Sequence, residues 1–138
     1  MTRSTDGWGA APTLEDFAEL AETALDGLAE PFRSLARGVP IRIEDLADEE
    51  TLEALHIEDP YHLTGLYSGV TLTLEALSAP SHLPAMIWLY RLAILDEWAR
   101  SPGVTLEELV AHVLVHELGR HFGWSDEEMD AALATRAS

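Results

Sequence analysis

A histidine and a glutamate stand side by side at His116 and Glu117, within the segment VLVHELGRHFGWSDEEM. On a helix, a second histidine four residues after the first would let two imidazoles bind one tetrahedral zinc ion. The glutamate would then act as general base on a zinc-bound water. In this chain the second position is Arg120, whose guanidinium stays protonated and has no lone pair for a metal. The residue types therefore indicate zinc-dependent hydrolysis with one ligand missing.

Two other histidines are alternative metal ligands. His121 lies five residues after His116, about 140° around a helix that turns about 100° per residue, and hence on another face. Only a π-bulge or an early helix end would bring it round. His112 and His116 are four residues apart and share a face, but Val113 follows His112 where the base would stand. A metal held there would lie one turn nearer the N-terminus, bind weakly and lack the peptidase mechanism.

These side chains belong to a predicted helix from Thr105 to Phe122. Thr105 and Glu108 match a capping box, and Gly123 is a predicted C-cap. A second capping box at residues 125–128 predicts one last helix.

One line of the predicted helix is polar. Glu108, His112, His116 and Arg120 recur every four residues, with Glu117 beside them, while the other positions are largely apolar. Titratable groups on a largely buried helix are costly unless they are paired or bind something. The row indicates either a metal site or a set of hydrogen-bonded core groups.

The rest of the chain predicts one α+β domain over residues 13–138, after a flexible tail at residues 1–12. Periodicity, capping and turn residues predict the following elements. They are a helix capped by Thr13 and Asp16 and ended by Gly27 and Pro31, a strand from Gly38 to Leu46, a short acidic helix ended by Glu58–Pro60, a glycine-containing strand from Leu63 to Leu74, a loop at Ala79–Pro84, a strand from Met86 to Tyr90, and a short helix from Ile94 to Ala99.

Composition limits the classes of partner. Twenty-five acidic residues against eight arginines give a net charge of −17, which disfavours nucleic acids and anionic membranes. The chain has no cysteine, so disulfides and thiolate metal sites are excluded. The sequence shows neither an apolar run of about 18 residues nor the apolar core of a signal peptide, so a cytoplasmic location is expected.

The segment HVLVHELGRHFGWSDEEM resembles the bacterial minimal zincins, or Asp-zincin-like metallopeptidases, whose motif is H-E-x-x-H-x-x-G-x-x-D. The segments EPFRSL, VPIRIEDL, GLYSGVTLT and MIWLYRLAILDEWA also look like the corresponding parts of that family. The resemblance covers nearly the whole chain after about Pro12. It implies a small α+β zincin-like fold, in which the motif helix packs beside a short mixed sheet, with zinc as cofactor.

Transferred residue by residue, the resemblance makes His116 the first zinc ligand and Glu117 the general base. Gly123 matches the glycine that turns the chain back, and Asp126 matches the carboxylate ligand. Position 120 departs from the motif. We hypothesise that Arg120 pairs with Asp126, Glu117 or both, supplies the positive charge that zinc would bring, and so holds the fold together in its place. The alternative is that Arg120 extends into solvent beside an empty pocket.

Three functions follow from this comparison. The first is a zinc metallopeptidase, and the second is a non-catalytic protein that binds a peptide or protein partner in the former substrate cleft. Trp88, Tyr90 and Trp124 are candidate lining residues of that cleft, with core packing as the alternative. The third is a purely structural or regulatory acidic domain. We expect a metallopeptidase homologue whose hydrolysis of peptide bonds is absent or greatly reduced.

Overall fold

The computed structural model describes residues 11–69 and 85–134. Within these ranges it has helices and a small mixed sheet, which confirms the α+β prediction. The helices are α1 (Leu14–Asp26), α2 (Phe32–Ala36), α3 (Glu49–Ala54), α4 (Arg91–Ala99), α5 (Leu106–Phe122) and α6 (Asp126–Leu133). The strands are β1 (Ile41–Glu44), β2 (Gly65–Ser68) and β3 (Met86–Tyr90), and a 3₁₀ turn covers Pro60–His62.

The sheet has the order β1-β3-β2, with β3 parallel to β1 and antiparallel to β2. Alternate side chains of β3 point to opposite faces of the sheet. Ile87 and Leu89 are fully buried in the main core, on the face that α1 and α5 cover. Trp88 and Tyr90 belong to a second, smaller cluster around Leu52 of α3. The sheet is therefore covered on both faces, and the motif helix contacts only one of them.

Helix α5 is the central element of the main core. It contacts α1, α4, α6, β2 and β3. Leu106, Val110, Leu114 and Leu118 recur at helical spacing and are fully buried, and Phe17 of α1 is buried in the same cluster. Complete burial of such a side chain contributes about 1.5–3 kcal/mol. The position of α5 is therefore fixed by apolar packing along its whole length.

The predicted helix ends agree closely with the structure. Thr13, Thr105 and Ser125 each form a complete capping box at the start of α1, α5 and α6. Gly123 follows α5 in the left-handed conformation, with φ 72°, which a glycine adopts without steric cost. The short acidic helix and the β3 strand also lie where they were predicted.

Two predicted segments differ from the structure. The helix expected from Ile94 begins at Arg91, directly after β3, so no irregular turn separates strand and helix. Two bonds to Asp45 secure this junction: the Leu92 N–H donates to its carbonyl at 3.0 Å, and Arg91 Nε lies 2.7 Å from its carboxylate. The strand predicted over residues 38–46 is shorter and covers Ile41–Glu44.

One helix was not predicted from the sequence, and some predicted segments lie partly or wholly outside the described residues. Helix α2 was not predicted, because five residues are too few to show a helical period. Of the strand predicted over residues 63–74, β2 covers Gly65–Ser68, while residues 70–74 and the loop predicted at residues 79–84 lie outside the described residues. The terminal parts of the predicted tail and domain lie outside them as well, so those bounds stay predictions.

Gly65 allows β2 to lie directly against α5. A Cβ at this position would lie 2.7 Å from Val113 Cγ1 and 3.2 Å from Glu117 Cγ. A real Cβ essentially never lies within 3.0 Å of a heavy atom that is not its chain neighbour. A residue with no side chain is therefore needed where the edge strand crosses the motif helix.

We predict that Gly65→Ala lowers the free energy of unfolding by about 1–3 kcal/mol, because the added methyl overpacks the contact with Val113. Urea denaturation measures this change. Gly38→Ala is the matched control, because its Cβ would meet nothing closer than the Leu35 carbonyl oxygen at 3.9 Å. In a Val113→Ala background, Gly65→Ala should lower the free energy of unfolding by less than it does in the unmodified chain. Equal stability of the Gly65 and Gly38 variants would contradict the close approach.

Candidate functional site

The polar row of α5 faces solvent. Glu108, His112, His116 and Arg120 are all exposed, whereas their neighbour Glu117 is buried. The sequence suggested that these four titratable groups would be removed from water, but their exposure means that little free energy is spent on removing them. That cost falls on Glu117.

Glu117 is 8% exposed and its carboxylate meets two donors. The backbone N–H of Tyr67 on β2 donates a hydrogen bond to it, and Arg120 Nε lies 3.3 Å from Oε1. Burial raises the pKa of Glu117 above the ordinary value of 4.5, and the positive charge of Arg120, His116 and the Tyr67 N–H only partly offset this. The result is a buried carboxylate that is hydrogen-bonded but costly to ionise.

Arg120 lies in the last turn of α5, where a cation interacts favourably with the helix dipole. Its side chain is 72% exposed while it pairs with Glu117. Our hypothesis named Asp126 and Glu117 as partners of Arg120, and the structure shows the ion pair with Glu117. Within the described ranges, no ion pair joins Arg120 to Asp126.

His116 has the hydrogen bond that commonly orients a metal-binding imidazole. Its Nδ1 lies 3.0 Å from the carbonyl oxygen of His112, so Nδ1 carries the proton and Nε2 keeps a free lone pair. The rings of His112 and His116 are 4.2 Å apart between centroids. The groove beside α5 removes His112 partly from water, which lowers its pKa, and the neighbouring His116 lowers this pKa further. Both features favour a neutral ring at His112.

His121 lies on the opposite, buried side of α5. Its Nδ1 is 2.9 Å from the hydroxyl of Tyr67, and its ring packs against Phe122 at 4.6 Å between centroids. Burial lowers the pKa of His121. Helix α5 is continuous from Leu106 to Phe122, with no π-bulge to rotate the ring towards His116. His121 is thus placed as a hydrogen-bonded core residue.

Asp126 is the first residue of α6 and is exposed. The left-handed turn at Gly123 places α6 beside α5, and Met129 of α6 packs over Gly119. Across residues 11–69 and 85–134, no three His, Cys, Asp or Glu side chains come close enough together to hold a metal ion. The described residues therefore show no complete set of metal ligands, and the roles of His116 and Asp126 as ligands and of Glu117 as general base stay predictions.

A family model described as zincin-like metallopeptidase matches residues 36–134, which is most of the chain. The chain belongs to the zincin-like metallopeptidase family. Comparison with curated proteins gave no match. The matched region includes the whole sheet and all of α5 and α6. None of the helices described is long and apolar enough to cross a membrane.

The side chains at the motif do not fit the zinc ion that the zincin family implies. A zinc site of this type needs three protein ligands and one open position. His116 and Asp126 are chemically suitable, but the residue between them in the motif is Arg120, which is a permanent cation. The donor set is therefore one ligand short and carries an opposing charge, and the proposed ligand roles of His116 and Asp126 stay predictions.

The three aromatic residues suggested for a substrate cleft do not share one surface. Tyr90 is buried and Trp88 half-buried in the cluster around α3, on the sheet face away from α5. Burial raises the pKa of Tyr90 to about 12. Trp124 follows α5 and contacts Phe32 and Phe122 at 5.0 and 5.3 Å between ring centroids. All three are accounted for by packing.

Tyr67 contacts the candidate site, and the sequence patterns did not indicate it. Its backbone N–H bonds Glu117 and its hydroxyl bonds His121, so one strand residue contacts two consecutive turns of α5. Burial raises the pKa of Tyr67. The contact spans about fifty residues of sequence, and a tyrosine in a short strand gives no local signal of it.

We predict a small coupling energy of about 0.2–1 kcal/mol between Arg120 and Glu117, because one partner is largely solvated. A double-mutant cycle with Arg120→Gln and Glu117→Gln, measured by urea denaturation, gives this value. The matched cycle with Arg120→Gln and Asp126→Asn should give a coupling near zero. A larger coupling to Asp126 than to Glu117 would contradict the observed pairing.

We also predict that the stabilising effect of Glu117→Gln grows with pH. The pKa of Glu117 is higher in the folded protein than in the unfolded chain, so the folded state favours the protonated acid. This difference stabilises the fold fully below pH 4.5, and the stabilisation is lost as pH rises through the folded pKa. Glutamine is neutral throughout and escapes that loss. Unfolding free energies between pH 4 and 8 test this, with Glu107→Gln as the control for removing one charge from the same helix. A difference that shrinks towards neutral pH would contradict it.

Proposed function

We propose that this chain is a zincin-like metallopeptidase homologue in which peptide hydrolysis is absent or greatly reduced. The observation that carries the proposal is Arg120, which stands at the second ligand position and pairs with the general base of the motif. Loss of an outer-shell partner already weakens metal affinity by about 10–100-fold. Loss of a direct ligand, with a cation in its place, should weaken it more.

The magnitude of the lost activation supports the same conclusion. A zinc-bound water has a pKa of about 7, compared with about 15.7 for bulk water. A carboxylate whose pKa is raised by burial is a better base, but it cannot make up a gap of that size. The Glu117 side chain is only 11% exposed, and its carboxylate already accepts the Tyr67 N–H and pairs with Arg120. An attacking water therefore has poor access to it.

The second candidate, partner binding in the former cleft, receives no support from Trp88, Tyr90 and Trp124, because packing accounts for all three. The charge of −17 supports the proposal that nucleic acids and anionic membranes are not partners. A peptide or protein partner would have to be recognised by other residues. We therefore favour a homologue with absent or greatly reduced hydrolysis over a partner-binding protein.

The restoring substitution tests the proposal. Arg120→His supplies the second imidazole one turn after His116, so it should retain about one equivalent of zinc after desalting, while the unmodified, tag-free chain retains far less. Elemental analysis measures the zinc, and a casein or peptide assay measures hydrolysis. Arg120→Gln is the matched control, because it removes the positive charge without adding a ligand.

Two further variants separate binding from chemistry. Arg120→His/Glu117→Gln should keep zinc but not hydrolyse, and Arg120→His/His116→Ala should lose both. A stoichiometric zinc in the unmodified chain that disappears in Asp126→Ala would overturn the proposal. A lack of zinc in Arg120→His would show that the motif has been assigned to the wrong positions.

A further inference from the structure

His112 and His116 form a pair on the solvent-exposed face of α5. They are four residues apart, their ring centroids are 4.2 Å apart, and both side chains are exposed. The bond from His116 Nδ1 to the His112 carbonyl leaves Nε2 of His116 free to bind a cation. This spacing is the one that lets two imidazoles on a helix reach a common ion.

We propose that His112 and His116 form a site for a late first-row divalent cation such as Cu²⁺, Ni²⁺ or Zn²⁺, distinct from the zincin position between His116 and residue 120. Neutral imidazole nitrogens suit these ions. Within the described residues no third side-chain ligand completes the set. Water therefore fills the remaining positions, and the affinity is modest.

The charges around the pair favour a cation there more than at the zincin position. An ion held midway between His112 and His116 lies about 9 Å along the helix axis from Arg120, at 1.5 Å per residue. That axial distance is close to the Debye length of about 8 Å at physiological ionic strength, and the guanidinium is paired with Glu117, so both screening and pairing reduce the repulsion. At the zincin position the guanidinium would replace a ligand. Glu97 and Asp130 act electrostatically on His112, and the net charge of −17 attracts cations in general.

The surface beside His112 leaves room for the remaining ligands of the ion. A groove of about 720 Å³ lies between α4, α5 and α6, and His112, Glu97, Thr105 and Leu133 line it. Water molecules, or an oxygen or nitrogen ligand from another molecule, fit in this space. The groove is open, so binding of the ion requires no movement of the core.

This site binds a cation without the peptidase chemistry of the family. The residue after His112 is Val113, so no general base follows the first ligand. The Glu117 carboxylate is buried and bonded to Tyr67 N–H and Arg120. The proposed site shares His116 with the zincin motif but takes its second ligand, His112, from the preceding turn of α5.

Titration of the full-length, tag-free chain with Cu²⁺ and Ni²⁺ by calorimetry tests the proposal. We expect one equivalent of each, with Cu²⁺ bound more tightly than Ni²⁺ or Zn²⁺. His112→Ala and His116→Ala should each weaken binding by about tenfold or more. Electron paramagnetic resonance of the Cu²⁺ complex should show coupling to two imidazole nitrogens, reduced to one in either variant.

Matched controls locate the ion. His62→Ala removes another exposed histidine, and Asp126→Ala removes the zincin carboxylate; both should leave the affinity unchanged. Unchanged affinity in His112→Ala, or no binding by the unmodified chain, would overturn the site at the pair while leaving the Arg120→His result untouched. Loss of binding in Asp126→Ala would place the ion at the zincin position and overturn both proposals.

Discussion

The carboxylate of Glu117 sits where an edge strand and a helix pack too closely to admit a side chain on the strand. Gly65 permits this approach, and Tyr67, two residues later, donates its N–H to the carboxylate. A buried charge of this kind costs several kcal/mol unless it is bonded. The pairing of β2 with β3 and the packing of β2 on α5 are therefore linked through one hydrogen-bonded acid.

Arg120 changes what that acid can do without becoming a major part of the core. The guanidinium remains largely in water, so its ion pair contributes little to stability. The free energy that holds α5 in place comes from leucines and valines along its buried side. The two alternatives were that Arg120 pairs with an acid or extends into solvent. Its side chain does both, because it pairs with Glu117 while remaining largely exposed.

Local signals in the sequence located most of the elements. Capping boxes at Thr13, Thr105 and Ser125 and the glycine at 123 defined the helix ends, because caps are local interactions. Helix α2 and the direct junction at Arg91 were not found, since the first is too short for periodicity and the second depends on bonds to Asp45.

The candidate site was harder to predict than the fold. Spacing placed His112, His116 and Arg120 on one line of a helix, but it could not tell which side of the helix faces the core. The pairing of Arg120 with Glu117 was one of two options that the sequence left open. The role of Tyr67 depends on a contact between distant segments, which no local pattern encodes.

The packing of α6 has a consequence for how this domain holds together. Met129 lies over Gly119, and the Ala29 N–H donates to the carbonyl of Ala132 at 3.2 Å. These contacts anchor the segment that carries Asp126, and the capping box of Ser125 and Glu128 fixes where its helix begins. In many small metalloproteins the free energy of ion binding is the free energy of folding. Because packing and backbone bonds hold α6 in this chain, we expect a chelator to leave the free energy of unfolding unchanged, and the motif to tolerate substitution without loss of the scaffold.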